Sequence, residues 1–215
     1  MIKTPWPRFG ETPFKKVKLS KEMWFEVLLE YNRARFNDIS NNSYFEPEYD
    51  AFACDGAIAM VNNEEPFALT SYVDRQKLRD WSVHLQPIAE EWSGKKLRFH
   101  TAFGIRSYQK DSILCCHRDN IDTHVISAII FVDEYPDVKW PLDFIDHEGK
   151  HHQVTFEKGD MLLYESLCAH ARMTPFPGEF YRNMYFHWAP VDWDYTPYKE
   201  NKVRYKSIKE VQDEY

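Results

Sequence analysis

The feature that most constrains this chain is a change in its hydrophobic period at Ser93-Gly94. Beyond it, Leu97, Phe99, Thr101, Phe103 and Ile105 alternate with Arg98, His100, Ala102, Gly104 and Arg106, as on a strand with one buried face. Short runs of strand character follow at 113–116, 124–132, 142–146, 152–156, 161–164 and 180–188, and His147-Glu-Gly-Lys150 reads as a hairpin turn between two of them. Before the boundary the period is helical. Ser20 stands where an N-cap belongs, and Trp24, Val27, Leu28 and Tyr31 recur at three and four, which predicts a helix over 21–35. Ser71-x-x-Asp74 resembles a capping box ahead of Leu78, Trp81 and Leu85, predicting a second helix over 73–85, with Pro87 kinking it or starting a further turn. Helices first and six or more short strands last make an α+β chain whose second half is all β.

The remaining segments carry weaker signals. Residues 1–19, with Pro5, Pro7 and Pro13, read as a surface arm with room for one short strand. Residues 36–70 keep no sustained period, and 57–61 is their most ordered piece. The charged stretch 199–215, with Val203, Ile208 and Val211, has room for a short surface helix. We therefore expect an N-terminal arm and supporting helices (1–95), a β core (96–190) and a C-terminal extension (191–215), all in one structural domain. With 215 residues, 43% of them hydrophobic, the chain can bury a sizeable core.

Charge and cysteine usage narrow the partners. A formal net charge of -7 gives no overall cationic field for nucleic acid or an anionic membrane. The N-terminus lacks the apolar core of a secretory signal, and no eighteen apolar residues run together, so a cytoplasmic protein with no membrane contact is expected. Cys54, Cys115, Cys116 and Cys168 follow neither zinc nor disulfide spacing and are expected as reduced thiols. On a strand, Cys115 and Cys116 point to opposite faces.

The chemistry concentrates between Tyr108 and Arg172. His117 and Asp119 lie two apart, so on a strand both side chains leave the same face, about 7 Å apart at the backbone, and can converge on one ion. With His170 arriving from another strand, at the end of the 161–164 run, they compose a 2-His-1-carboxylate set. Such a set suits iron(II) and leaves three positions open on one face. His-x-Asp alone is a weak motif among nine histidines, and the ordinary reading of such a pair is a surface or hydrogen-bonded histidine. By the same measure His151-His152, beside a turn, reads as solvated, His124 as a local hydrogen-bonder or pocket-lining residue, and His187 as part of an aromatic strand face.

The flanks carry more. Arg106-Ser-Tyr108, His117-x-Asp119, Ile126-Ser-Ala-Ile-Ile-Phe-Val-Asp133, Trp140-Pro-Leu, Gly159-Asp-Met-Leu-Leu-Tyr-Glu-Ser166, His170-Ala-Arg172 and Gly178-Glu-Phe-Tyr-Arg-Asn-Met-Tyr-Phe-His-Trp188 occur in one order. That order resembles the 2-oxoglutarate- and iron(II)-dependent dioxygenases, in particular their prolyl 4-hydroxylase-like group, over about 97–190. The resemblance implies a double-stranded β-helix, or jelly roll, with helices buttressing one sheet and with His117, Asp119 and His170 holding iron at its open end. It implies 2-oxoglutarate and O2 as co-substrates, ascorbate as a supporting reductant, and hydroxylation of an unactivated C–H with release of succinate and carbon dioxide. Asp119 fits hydroxylation, because halogenating relatives lack that carboxylate.

Peptidyl proline is the leading substrate by resemblance, with free amino acids and other small molecules on the same scaffold as the alternative. A non-catalytic jelly-roll binding module is the reading from another class. Tyr108, nine before the first histidine, corresponds to a co-substrate contact. The pattern breaks ten residues after His170, where prolyl hydroxylases place a lysine for the distal carboxylate and this chain has Phe180. Arg172 or Arg182 must then supply the charge. Arg172 shares the face of His170 if the strand continues, and the resemblance favours it slightly, because related bacterial sequences tend to keep a His-Gly-Arg there; Arg182 has an outward or acid-paired position as its ordinary reading.

Overall fold

Two antiparallel sheets account for the alternating half of the chain. A computed structural model describes residues 5–39, 45–47, 58–59, 68–71 and 73–215. In chain order the elements are β1 (Phe14–Lys18), α1 (Lys21–Ile39), β2 (Phe45–Pro47), β3 (Ile58–Ala59), β4 (Ala68–Ser71), α2 (Arg75–Ser93), β5 (Leu97–Gln109), β6 (Ile113–His117), β7 (Ile126–Tyr135), β8 (Leu142–Ile145), β9 (His151–Val154), β10 (Asp160–Glu165), β11 (His170–Arg172), β12 (Phe180–Pro190) and α3 (Ile208–Gln212). Among the described residues the larger sheet has seven strands in the order β1-β10-β7-β12-β5-β4-β2, and the smaller has five in the order β3-β6-β11-β8-β9. Most neighbours are non-consecutive, so the chain passes repeatedly between the sheets, as in a jelly roll. The expected α+β class with a double-stranded β-helix is the fold observed.

The larger sheet is buried on both faces, which explains why its inner strands read as apolar runs. On β7, Ile126, Ala128, Ile130 and Val132 pack with Met23, Val27, Tyr31, Trp81 and Leu85 of the helices. The intervening Ile129 and Phe131 face the other sheet, where they meet Leu142 and Phe144 of β8. The same parity divides β12: Met184, Phe186 and Trp188 lie on the helix side, Tyr181 and Tyr185 on the inner side. The helices therefore buttress one sheet, as expected.

Boundaries differ from the sequence reading for local reasons. The Ser20 hydroxyl caps α1 by accepting the Met23 amide at 3.1 Å, and the helix continues to Ile39. Asp74, not Ser71, caps α2, accepting the amides of Gln76 and Lys77, while Ser71 belongs to β4. α2 runs past Pro87 to Ser93 and stops at Gly94, whose φ of 65° closes the left-handed C-cap. The ordered piece expected at 57–61 is represented by β3; positions 57, 60 and 61 lie outside the described residues. Two register shifts between β5 and β12 break the simple alternation of β5, so Phe103 turns toward the interior cavity while Ile105 packs under the helices. The C-terminal extension folds back on the smaller sheet and buries Tyr205 and Val211 there. No described helix is long and apolar enough to cross a membrane.

Candidate metal and carboxylate site

The site lies between the sheets. His117 ends β6 and His170 opens β11, and the two residues face each other directly in the antiparallel register of the smaller sheet. This corrects the expectation that His170 ends the 161–164 strand: β10 belongs to the larger sheet, and a separate three-residue strand carries His170. Each imidazole is oriented through its Nδ1. His117 Nδ1 lies 2.7 Å from the Cys115 carbonyl and His170 Nδ1 3.1 Å from the Cys168 carbonyl, which leaves both Nε2 atoms aimed at Asp119. Asp119 Oδ1 is 3.3 Å from His117 Nε2 and 3.7 Å from His170 Nε2. Tyr164 donates to the second oxygen, Oδ2, at 3.1 Å.

Electrostatics favour the ligand-competent forms. Burial pushes the His170 imidazole down to about 4, with His117 beside it acting in the same direction, so it is neutral at physiological pH. Burial alone would raise the Asp119 carboxyl; the surrounding His170, His117 and His187 outweigh it and hold the group well below the usual carboxylate range. Three donor atoms, two nitrogens and one oxygen, thus lie within 4.8 Å of one another in a protected pocket. That donor set fits iron(II).

A cavity of about 190 Å³ opens on the three ligands. Tyr108 and Arg172 line it too, so five of the six residues singled out from sequence come together. The Tyr108 hydroxyl lies 2.9 Å from that of Tyr185. Arg172 is 1% exposed, with its guanidinium between the rings of Trp140 and Tyr181, 4.6 and 4.5 Å from their centroids. It donates to the Trp140 carbonyl and to the Tyr181 hydroxyl, and no carboxylate among the described residues pairs with it. A buried cation with neutral neighbours is strongly biased toward taking up an anion.

Arg182 is not brought to the site. It lies on the opposite face of the larger sheet, under α1, where its Nη1 donates to the Tyr31 hydroxyl at 2.7 Å and its Nε to Ser107 Oγ at 3.0 Å. The physical reason is parity: Arg182 shares the helix-facing side with Met184 and Phe186. The structure thus places Arg182 away from the cavity where the co-substrate contact was expected.

Several lining residues were not singled out from sequence. Tyr164, Tyr185, Arg106 and Arg204 all reach the cavity wall. His187, read only as part of an aromatic face, stacks on His124 at 3.9 Å between centroids, and its Nδ1 lies 2.6 Å from Ser127 Oγ and 4.0 Å from Asp119. Burial keeps His187 well below the ordinary histidine range. Arg106 has the parity of Tyr108, a signal available in the sequence; Arg204 arrives from the C-terminal extension, which no local pattern places there. His151 and His152 each pair with an aspartate, Asp143 and Asp146.

No family model matches the sequence, and no curated protein does. Solved structures do match. The carbocyclase SnoK from nogalamycin biosynthesis, described as non-heme and alpha-ketoglutarate dependent, superposes with a TM-score of 0.60 at 14% identity, over 89% of this chain and 85% of its own. A prolyl hydroxylase from Trichoplax adhaerens, in complex with a hypoxia inducible factor peptide fragment, gives 0.57 at 12% identity, over 82% of this chain and 84% of its own. The chain has the fold of these oxygenases. HygX from Streptomyces hygroscopicus, with nickel, 2-oxoglutarate and hygromycin B bound, gives 0.52 at 12% identity over 85% of this chain and 84% of its own.

Proposed function

We propose that this protein is a 2-oxoglutarate- and iron(II)-dependent oxygenase that hydroxylates an unactivated C–H. One observation carries the reading: the His117-Asp119-His170 cluster and Arg172, a buried arginine with no acidic partner among the described residues, line the same small cavity. His117, Asp119 and His170 hold the metal. Arg172 receives the far carboxylate of 2-oxoglutarate in a charge-assisted contact, with Tyr108 beside it. Tyr164 orients Asp119 through its hydroxyl, and Leu114, Ile129 and Leu142 keep the wall apolar and water-poor. When bound, iron(II), 2-oxoglutarate and O2 supply the oxidative chemistry: one oxygen atom enters the substrate C–H and the other enters succinate, with loss of carbon dioxide.

Peptidyl proline is the first substrate class to test, supported by the order of motifs and by the fold shared with the Trichoplax prolyl hydroxylase. A second reading, a small anionic molecule, is favoured by Arg106 and Arg204 on the cavity wall. Aerobic incubation with iron(II), ascorbate and labelled 2-oxoglutarate tests the reaction and separates the substrates. Succinate above the no-enzyme control with prolyl peptides supports the first reading, and succinate with small carboxylic acids or amino acids only supports the second. No succinate with either class would replace both by a non-catalytic ligand-binding module.

A further inference from the structure

A second group of ligating side chains lies outside the cavity just described. His147 in the β8–β9 turn, Glu165 at the end of β10 and Cys168 in the β10–β11 loop bring a nitrogen, an oxygen and a sulfur within 4.8 Å of one another. His147 Nε2 is 2.6 Å from Glu165 Oε2 and 3.5 Å from Cys168 Sγ. All three side chains are buried. The other carboxylate oxygen, Oε1, accepts the backbone amides of Phe9 and Gly10, each at 2.9 Å, which fixes the carboxylate and presents Oε2 to His147.

A histidine–glutamate hydrogen bond alone accounts for two members of this group but not for the third. Nε2 carries at most one proton, yet both an oxygen and a sulfur stand against it. A cation shared by all three uses every donor atom. A thiolate, a carboxylate and a neutral imidazole together carry two negative charges, which a divalent ion neutralises inside the fold. Soft sulfur, borderline nitrogen and a single oxygen select zinc(II) over the harder cations, and a three-ligand site keeps a fourth position open. Of the three, His147 also borders a cavity of about 320 Å³, shared with Trp6, Arg8, Arg118, Lys202 and Tyr215.

We propose that His147, Glu165 and Cys168 form a zinc(II) site separate from the His117-Asp119-His170 cluster. Glu165 and Cys168 lie three apart in one turn, where the Cys168 amide donates to the Glu165 carbonyl at 2.9 Å, and His147 arrives from the separate β8–β9 turn; without that third ligand the short Glu-x-x-Cys spacing marks no metal site, and Cys168 read as a plain thiol. The site ties the N-terminal arm, through Phe9 and Gly10, to the loop that carries the other centre. Within that loop the Cys168 carbonyl accepts from His170 Nδ1 and the Ser166 carbonyl accepts the Asp119 amide at 3.0 Å. Zinc here is a staple that holds two of the cavity's ligating residues in place.

Cobalt(II) titration of the purified protein tests this, because the His117-Asp119-His170 cluster contains no sulfur. The expected result is a near-ultraviolet thiolate-to-cobalt charge-transfer band that appears in the native protein, persists in Asp119→Ala and saturates there at one equivalent, disappears in Cys168→Ser and is bleached by added zinc. Zinc should also raise the melting temperature of Asp119→Ala but not of the Asp119→Ala/His147→Gln double variant. The proposal is overturned if the native protein shows no such band, if the band survives Cys168→Ser and so belongs to another cysteine, or if Asp119→Ala abolishes it. Should Cys168→Ser lose its far-ultraviolet circular dichroism, the loss of the band is read in His147→Gln instead, and a full-strength band there is equally fatal.

Discussion

Replacing Arg172 and Arg182 separately by methionine should produce opposite phenotypes. Arg172 is buried against Trp140 and Tyr181 with no carboxylate partner among the described residues. In the ligand-free protein its removal forfeits hydrogen bonds to the Trp140 carbonyl and the Tyr181 hydroxyl, but also relieves the desolvation of an uncompensated charge. Those effects oppose each other, and the net change in unfolding free energy should stay within about 1 kcal/mol. The loss appears on binding: truncating one partner of a buried charge pair costs about 2–5 kcal/mol. Taking about 3 kcal/mol, the 2-oxoglutarate requirement should rise roughly a hundredfold. Arg182 reverses the pattern. Its bonds to Tyr31 and Ser107 lie under α1, and hydrogen bonds involving a charged group contribute about 1.5–3 kcal/mol each. Arg182→Met should lose stability of that order while leaving the 2-oxoglutarate requirement within about twofold, a change too small to carry a buried charge pair. Succinate formation against 2-oxoglutarate concentration and urea unfolding of both variants decide it. A large rise in the 2-oxoglutarate requirement for Arg182→Met, with none for Arg172→Met, would refute the assignment.

Further perturbations test the rest of the site. Asp119→Ala should abolish turnover with an unchanged far-ultraviolet spectrum; full activity in that variant would remove the metal cluster from the reaction. Metal-free protein should lose stability as pH falls from about 6.5 toward 4. His170, pushed down to about 4, stays neutral in the folded state while its unfolded counterpart takes up a proton. The contribution from His170 alone is on the order of 2 kcal/mol between pH 7 and 5, and a flat unfolding midpoint over that range in chelator would contradict it. Leu85→Ala, which opens a void beneath α2, should cost about 2–5 kcal/mol in urea unfolding without altering metal binding.

Much of this arrangement was legible in the sequence where a local rule suffices. The period change at Ser93-Gly94 marks the end of α2 and the start of β5, because both helix and strand announce themselves by which residues repeat. His117 and Asp119 were legible because a spacing of two keeps them near one ion, and Ser20 because a cap is a contact within one turn. The rest depended on events the alternation does not encode. β11 is three residues long, too short to show a period, and it takes its sheet position from β6 and β8 on either side. Arg204 enters the cavity wall only because the C-terminal extension forms a bridge at His117.

The case of Arg182 shows how far period two reaches. Alternation divides a strand into two sets of residues but does not say which set faces the ligand cavity when both faces are buried. On β12 both sets are largely apolar and aromatic, so Arg182 and its neighbours Tyr181 and Asn183 could be exchanged between faces without offending any pattern in the sequence. What breaks the tie is the partner layer: Tyr31 of α1 offers a hydroxyl to one face, and Tyr108 on β5 offers one to Tyr185 on the other. Phe180 then follows, because it shares the parity of Arg182, whose guanidinium lies 3.8 Å from its ring centroid. A lysine at 180, the position where prolyl hydroxylases carry one, would share that helix-side parity. The cation was therefore free to come from the other sheet, and Arg172 on β11, beside His170, is the buried cation that reaches the cavity from there.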